Sequence, residues 1–264
     1  MNRFLVLVIV SVAMGSLLSG ARAAGQRREG QAQPFSSAVS FLNIARAAGI
    51  DFVHVNGASP EKYLVETMGS GGLFLDFDND GWLDILTVNG KVALEGRANG
   101  KFPYDQRKQL FRNLGDRRFQ DVTDQAGKVF TLSDVGRGAA FGDIDNDGDT
   151  DVVVANNSGP VRLLINNLGN RNHWLGLRLV GERRDMLGAT VAVMRRGNPT
   201  LWRRARADGS YASANDPRVL VGLGRSTEKP RLRVRWPDGR TEEWNDVPID
   251  RYTTLTEGKG NKRQ

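Results

Sequence analysis

One acidic pattern, D-x-D-x-D-G-x-x-D, occurs twice, as DFDNDGWLD (76–84) and DIDNDGDTD (143–151), 67 residues apart. Carboxylates fall at positions 1, 3, 5 and 9: Asp76, Asp78, Asp80 and Asp84 in the first loop, Asp143, Asp145, Asp147 and Asp151 in the second. Two carboxylates 5 Å apart repel by roughly 3 kcal/mol at an effective dielectric near 20, so a compact loop of four calls for a cation. Oxygen ligands at this density suit Ca2+, with Mg2+ second because it keeps its waters and strict octahedral geometry. Position 7, Trp82 or Asp149, is expected to offer its main-chain carbonyl, and Gly81 and Gly148 at position 6 permit the sharp turn. Two Ca2+ sites are therefore expected. They are not EF-hands: position 12 is Thr87 or Val154 instead of a bidentate Glu, and the flanks read as strands. The Asp at position 9 is expected to take over from that Glu.

The loops sit in a longer repeat. Phe41–Gly49 is similar to Phe119–Gly127, a glycine-rich lead-in precedes each loop, and a β-branched run follows it, DILTV (84–88) or DVVVA (151–155). A turn and a further strand come next, QLFRN (109–113) or VRLLIN (161–166). A period of this size points to a propeller, solenoid or array, and the short strands between turn signals to antiparallel sheets.

Beyond residue 170 the chain changes character. Residues 41–170 hold 13 Lys and Arg against 18 Asp and Glu; residues 171–264 hold 20 against 11. Alternating segments at 173–180, 189–194, 201–207, 219–223, 232–236, 241–244 and 252–256 predict a small antiparallel sandwich or barrel. In RLRVRW (231–236) the arginines share one face and Leu232, Val234 and Trp236 the other. That face is either a solvated surface or one that meets an anionic partner. The absence of cysteine removes disulfides, zinc–thiolate sites and cysteine nucleophiles.

GLFLDFDNDGWLDI and AAFGDIDNDGDTDVVVANNSGP resemble the FG-GAP/VCBS repeats of integrin-like β-propellers. Phe141-Gly142 and Ser158-Gly159-Pro160 match the name-giving elements, whereas Leu75 stands where that family often has glycine. The resemblance implies a calcium loop between the first two strands of each blade. RNHWLGLRLVG (171–181), GSYASANDPRVLVGLG (209–224) and RVRWPDGRTEEW (233–244) resemble the ASPIC/UnbV domain, and FVHVNGASPEKYLVETMGSG (52–71) the segment that opens such propellers. The expected organisation is an export signal at 1–23, with an apolar run and an Ala21-Arg22-Ala23 cleavage site, a flexible leader at 24–40, FG-GAP/VCBS repeats at 41–170, an ASPIC/UnbV domain at 171–258 and a basic tail at 259–264. The fold class expected is all-β: a partial propeller of about two blades followed by a small sandwich or barrel.

Two blades cannot close a ring of four to eight. A shortened member of the family, oligomerisation that completes a propeller, and two blades packed on the C-terminal domain are all compatible with that shortage. His54 and His173 are the only histidine candidates for a base, and both fall in strand-like surroundings; Ser210 lacks a nucleophile elbow. The expectation is an exported, non-catalytic calcium-binding module for adhesion or interaction, secreted, periplasmic or at the cell surface. Its partner would be a protein or an acidic glycan, with no nucleic acid and no stable membrane span once the signal is removed. The alternatives are a glycan binder or polysaccharide-degrading enzyme, or a non-functional shortened paralogue.

Overall fold

A computed structural model describes residues 41–54, 71–90, 106–157, 159–209 and 213–262. The export signal, the leader, the segment 55–70 and Ser210 lie outside the described residues. By backbone contacts the chain separates into Met1–Leu42 and Asn43–Gln264, and every described strand belongs to the second unit.

The described residues of that unit contain strands and short 3-10 turns and no α-helix, so the all-β reading holds. The first repeat forms β1 (Gly71–Leu75) and β2 (Asp84–Val88), then the two-residue β3 (Gln106–Arg107), β4 (Gln109–Asn113) and β5 (Phe119–Asp121). β1, β2, β4 and β5 make a four-stranded antiparallel sheet in that order, the pattern of one complete blade. Two 3-10 turns lead to β6 (Ser133–Asp134), which pairs with β3. The second repeat forms β7 (Gly136–Gly142), β8 (Asp151–Asn156) and β9 (Arg162–Leu164), a sheet with three strands.

The two blades pack face to face. Alternation along each strand sends Leu75, Leu86, Val88 and Leu110 from the first sheet and Val152 and Val154 from the second into one core, joined by Val122 and Phe130. Each such side chain contributes about 1.5–3 kcal/mol when fully buried. Close approach depends on Gly136, where a Cβ would overlap the Val88 side chain. A buried charge cluster ties the blades as well. Lys108, 1% exposed, places its Nζ 2.7 Å from Asp134 Oδ2, and Arg162 on β9 reaches Asp134 Oδ1 at 3.1 Å. The far side of β9 is open: Val161, Leu163 and Ile165 are all about half exposed or more.

The basic half is a sandwich. β10 (His173–Val180) lies between β13 (Val219–Gly224) and β16 (Tyr252–Thr256). Facing it, β12 (Leu201–Arg204), β11 (Thr190–Met194), β14 (Arg231–Arg235), β15 (Thr241–Trp244) and β17 (Asn261–Lys262) form a five-stranded sheet in that spatial order. Leu175, Leu177 and Leu179 of β10 meet Val191, Val193, Leu232, Val234 and Trp236 across the interior. The sequence pattern implies antiparallel pairing throughout, but β10 and β16 run parallel, with Gly176 opposite Tyr252. Asn261–Lys262, in the stretch expected to be a tail, pair with β15.

Candidate metal centres

Both acidic loops connect the first two strands of a sheet, β1 to β2 and β7 to β8. They are conformational copies. Gly81 and Gly148 adopt φ of 97° and 95°, which is why position 6 needs glycine. Asn79 and Asn146 at position 4 are also left-handed, at 55° and 63°. Sequence reasoning passes over these asparagines, although asparagine at the same place in both loops is the signal for that conformation.

The position 1 carboxylates fold each loop inward: Asp76 Oδ2 accepts the Gly81 N–H and Asp143 Oδ2 the Gly148 N–H, both at 3.0 Å. At position 9, Asp84 accepts from Phe77 N–H (3.0 Å) and Asn113 N–H (2.7 Å). Asp151 does the same with Ile144 (2.9 Å) and Asn166 (2.8 Å). These carboxylates brace the loop against the third strand of its sheet, a role the sequence does not disclose. One oxygen each from Asp76, Asp78 and Asp84 lies within 4.8 Å of the others, and the same holds for Asp143, Asp145 and Asp147. Asp80 lies beside the first group: its Oδ1 accepts the Trp82 N–H, and an arginine 3.6 Å from its Oδ2 also pairs with Asp78.

Position 7 differs between the loops. Trp82 is exposed, whereas the Asp149 side chain is fully buried, with Oδ2 accepting the Asn170 N–H at 3.3 Å. Oδ1 of Asp149 and Oδ1 of Asp76 are buried with no hydrogen-bond partner among the described residues. An unpaired buried carboxylate oxygen is costly unless a cation meets it, so the donor set fits a hard divalent metal. Burial pushes the Asp76 carboxyl from 3.8 up to about 8, with Arg203 opposing and Asp80, Asp84 and Asp78 reinforcing. Burial likewise raises Asp84 to about 7, against the hydrogen bonds from Asn113 and Phe77, and raises Asp149 to about 7, aided by Asp147.

The loops are also seated on the sandwich. Asn79 donates to the carbonyls of Gly148 (2.8 Å) and Gly169 (3.0 Å), linking one loop to the other. Its own carbonyl accepts the Gly224 N–H at 2.8 Å. Tyr252 Oη–H donates to Asp143 Oδ2 at 2.8 Å, and Arg218 lies over the Tyr252 ring while donating to the Asp143 carbonyl at 2.6 Å. His173 meets Asp250 Oδ2 at 2.8 Å, while Asp250 Oδ1 accepts the Trp174 N–H, so this histidine braces the start of β10.

An acidic-loop blade pair joined to a β-sandwich defines a β-repeat protein of the FG-GAP type. Residues 76–154 match the FG-GAP-like repeat family and residues 180–262 match the family described as ASPIC and UnbV. The chain thus joins a stretch that matches FG-GAP-like repeats to one that matches the ASPIC/UnbV family. Cartilage acidic protein 1 of Mus musculus is 27% identical over 185 residues, which cover 65% of this chain and 27% of the mouse protein. The Homo sapiens protein of that name is 24% identical over 252 residues, covering 76% of this chain and 36% of the human one. The chain thus spans between a quarter and just over a third of the relatives it matches. Among the described residues no helix is long and apolar enough to cross a membrane.

Proposed function

We propose that this chain is an exported, non-catalytic calcium-binding module whose two acidic loops hold the blades in register with the sandwich and so present a binding or adhesion surface. The observation that carries the reading is the pair of carboxylate clusters, each next to a buried, unpartnered oxygen, in loops that bond to one another and to the sandwich. Calcium, when bound, supplies the missing charge; the aspartates hold it, and Asn79, Tyr252 and Arg218 transmit the order of the loops to β13 and β16.

The test is a thermal melt and a calcium titration of the full chain, with chelator as control. At the affinities of extracellular calcium modules, about 10⁻⁴–10⁻³ M, millimolar calcium adds about 0.5–1.5 kcal/mol per site. Two sites correspond to about 2–12 °C in Tm. The raised carboxyl values give a pH dependence. Because Asp76, Asp84 and Asp149 bind protons more tightly folded than unfolded, the metal-free chain should lose stability as pH rises from about 4 through 7–8. Calcium binds the ionised form, so its affinity should rise over the upper part of that window. An unchanged Tm, with no heat of calcium binding at pH 8.5, would sink the reading.

A second reading concerns the partner. Trp202 is 60% exposed on the solvent face of the five-stranded sheet, in one cross-strand row with Ala192, Arg233 and Glu243. Arg204 and Arg235 flank that row, exposed and with no ion pair among the described residues, while Arg231 and Arg233 share Glu243. An aromatic plate among arginines suits an acidic polysaccharide. Retention on polygalacturonate or heparin at low ionic strength should fall on adding salt and fall several-fold in Trp202→Ala with Arg204→Ser; equal retention by that variant would leave the face a solvated surface.

A further inference from the structure

The two loops share a motif but not a neighbour. Asn113 and Asn166 make the same bond to the position 9 carboxylates, which sets β4 and β9 in equivalent positions. Strand register agrees independently: Ile85 opposes Phe111 as Val152 opposes Leu164. Both alignments put Arg112 of the first repeat where the second has Ile165. Arg112 places a guanidinium nitrogen 2.6 Å from Asp78 Oδ2 and 3.6 Å from Asp80 Oδ2. Arg203 adds positive charge 3.8 Å from Asp76 Oδ2. Ile165 carries no charge, and among the described residues no Lys or Arg nitrogen lies within 4.0 Å of the carboxylates of Asp143, Asp145 or Asp147. Arg218, beside the second loop, bonds the Asp143 carbonyl and the Asn146 side chain, and its charge is matched by Asp216 at 2.6 Å.

We propose that Arg112 is a resident counter-cation that makes the first loop the weaker calcium site, so that the loops load in sequence, the second before the first. The proposal rests on the calcium reading above. The unpartnered Asp76 Oδ1 still marks the first loop as a place for a metal. A divalent ion entering there must share Asp78 and Asp80 with a positive charge paired directly to them, whereas among the described residues the second cluster's carboxylates carry no such ion pair, and like charges at such distances repel. When metal is absent the same arginine offsets carboxylate repulsion, so its effect on stability changes sign with loading.

The experiment is isothermal calorimetry of the full chain with CaCl2, on the wild type, Arg112→Ile, Arg112→Gln and the reciprocal Ile165→Arg. The wild type should show two sites whose affinities differ about tenfold or more, which is about 1.4 kcal/mol per factor of ten. Arg112→Ile and Arg112→Gln should strengthen the weak site by about that factor and leave the strong one unchanged; Ile165→Arg should weaken the strong site. In chelator both Arg112 variants should melt below the wild type, a readout that needs no metal. Two equal wild-type sites, or a weak site unmoved in both Arg112 variants, would overturn the proposal while leaving calcium binding intact. No calcium uptake in any form would remove the calcium reading itself.

Discussion

Gly148→Ala should cost the folded chain about 2–5 kcal/mol, as the sum of two effects that the structure separates. Gly148 has φ of 95°, where a Cβ is disfavoured by roughly 1–2 kcal/mol. The added methyl would also overlap the Trp174 indole. Trp174 has nowhere to go: it is buried, its main-chain N–H is held by Asp250, and its ring packs against Tyr252 at 5.3 Å between centroids. Overpacking of this kind adds about 1–3 kcal/mol. Gly239→Ala is the control, because Gly239 has φ of 91° but nothing within 4 Å of the new Cβ, so it carries the backbone cost alone. Denaturant unfolding followed by tryptophan fluorescence measures both. Equal losses in the two variants would show that the second loop is not wedged against the sandwich.

Asp134→Ala should be comparably severe. It leaves Lys108 fully enclosed with its ammonium unpaired, and removing one member of a buried ion pair costs about 3–5 kcal/mol. Against a typical domain stability of about 5–15 kcal/mol, that is a large share. The double variant Lys108→Met with Asp134→Leu should recover much of the loss, since it leaves no buried charge and Arg162 reaches solvent. The Arg162 and Lys108 charges hold the Asp134 carboxyl below the usual carboxylate range. Its contribution is therefore complete above about pH 4 and lost as pH falls through the lower folded value. Urea melts at pH 7 and pH 3 check both statements; a double variant no more stable than Asp134→Ala would refute the buried-charge account.

Local features are legible in the amino-acid sequence by itself. Alternation places His173–Val180, Thr241–Trp244 and Tyr252–Thr256 at their observed bounds, and the spacing of aspartates and glycines locates both loops. The alternation in Arg231–Arg235 puts Leu232 and Val234 inside and the arginines out, as observed. What escapes are relations between distant residues. Nothing near Tyr252 announces that its hydroxyl meets Asp143 Oδ2, 109 positions away. Position in the motif marks Asp149 only as a carbonyl ligand, because the burial of its side chain depends on Gly169 and Asn170 folding back over it. Laying QLFRN over RLLIN exposes Arg112, since an arginine there faces an isoleucine, but its carboxylate partners emerge only when β4 lies beside the loop.

The parallel pairing of β10 with β16 has a consequence for synthesis. Gly176 must wait for Tyr252 before that side of its strand is covered, and neither can be joined to the other by a tight turn. A chain emerging from the ribosome can close its first blade early, from near neighbours, while the sandwich stays unfinished until its last strands appear. Pairing across so long a stretch is slow. The half-made sheet, with one flank of β10 bare, is the stage at which this protein most needs protection from its own copies.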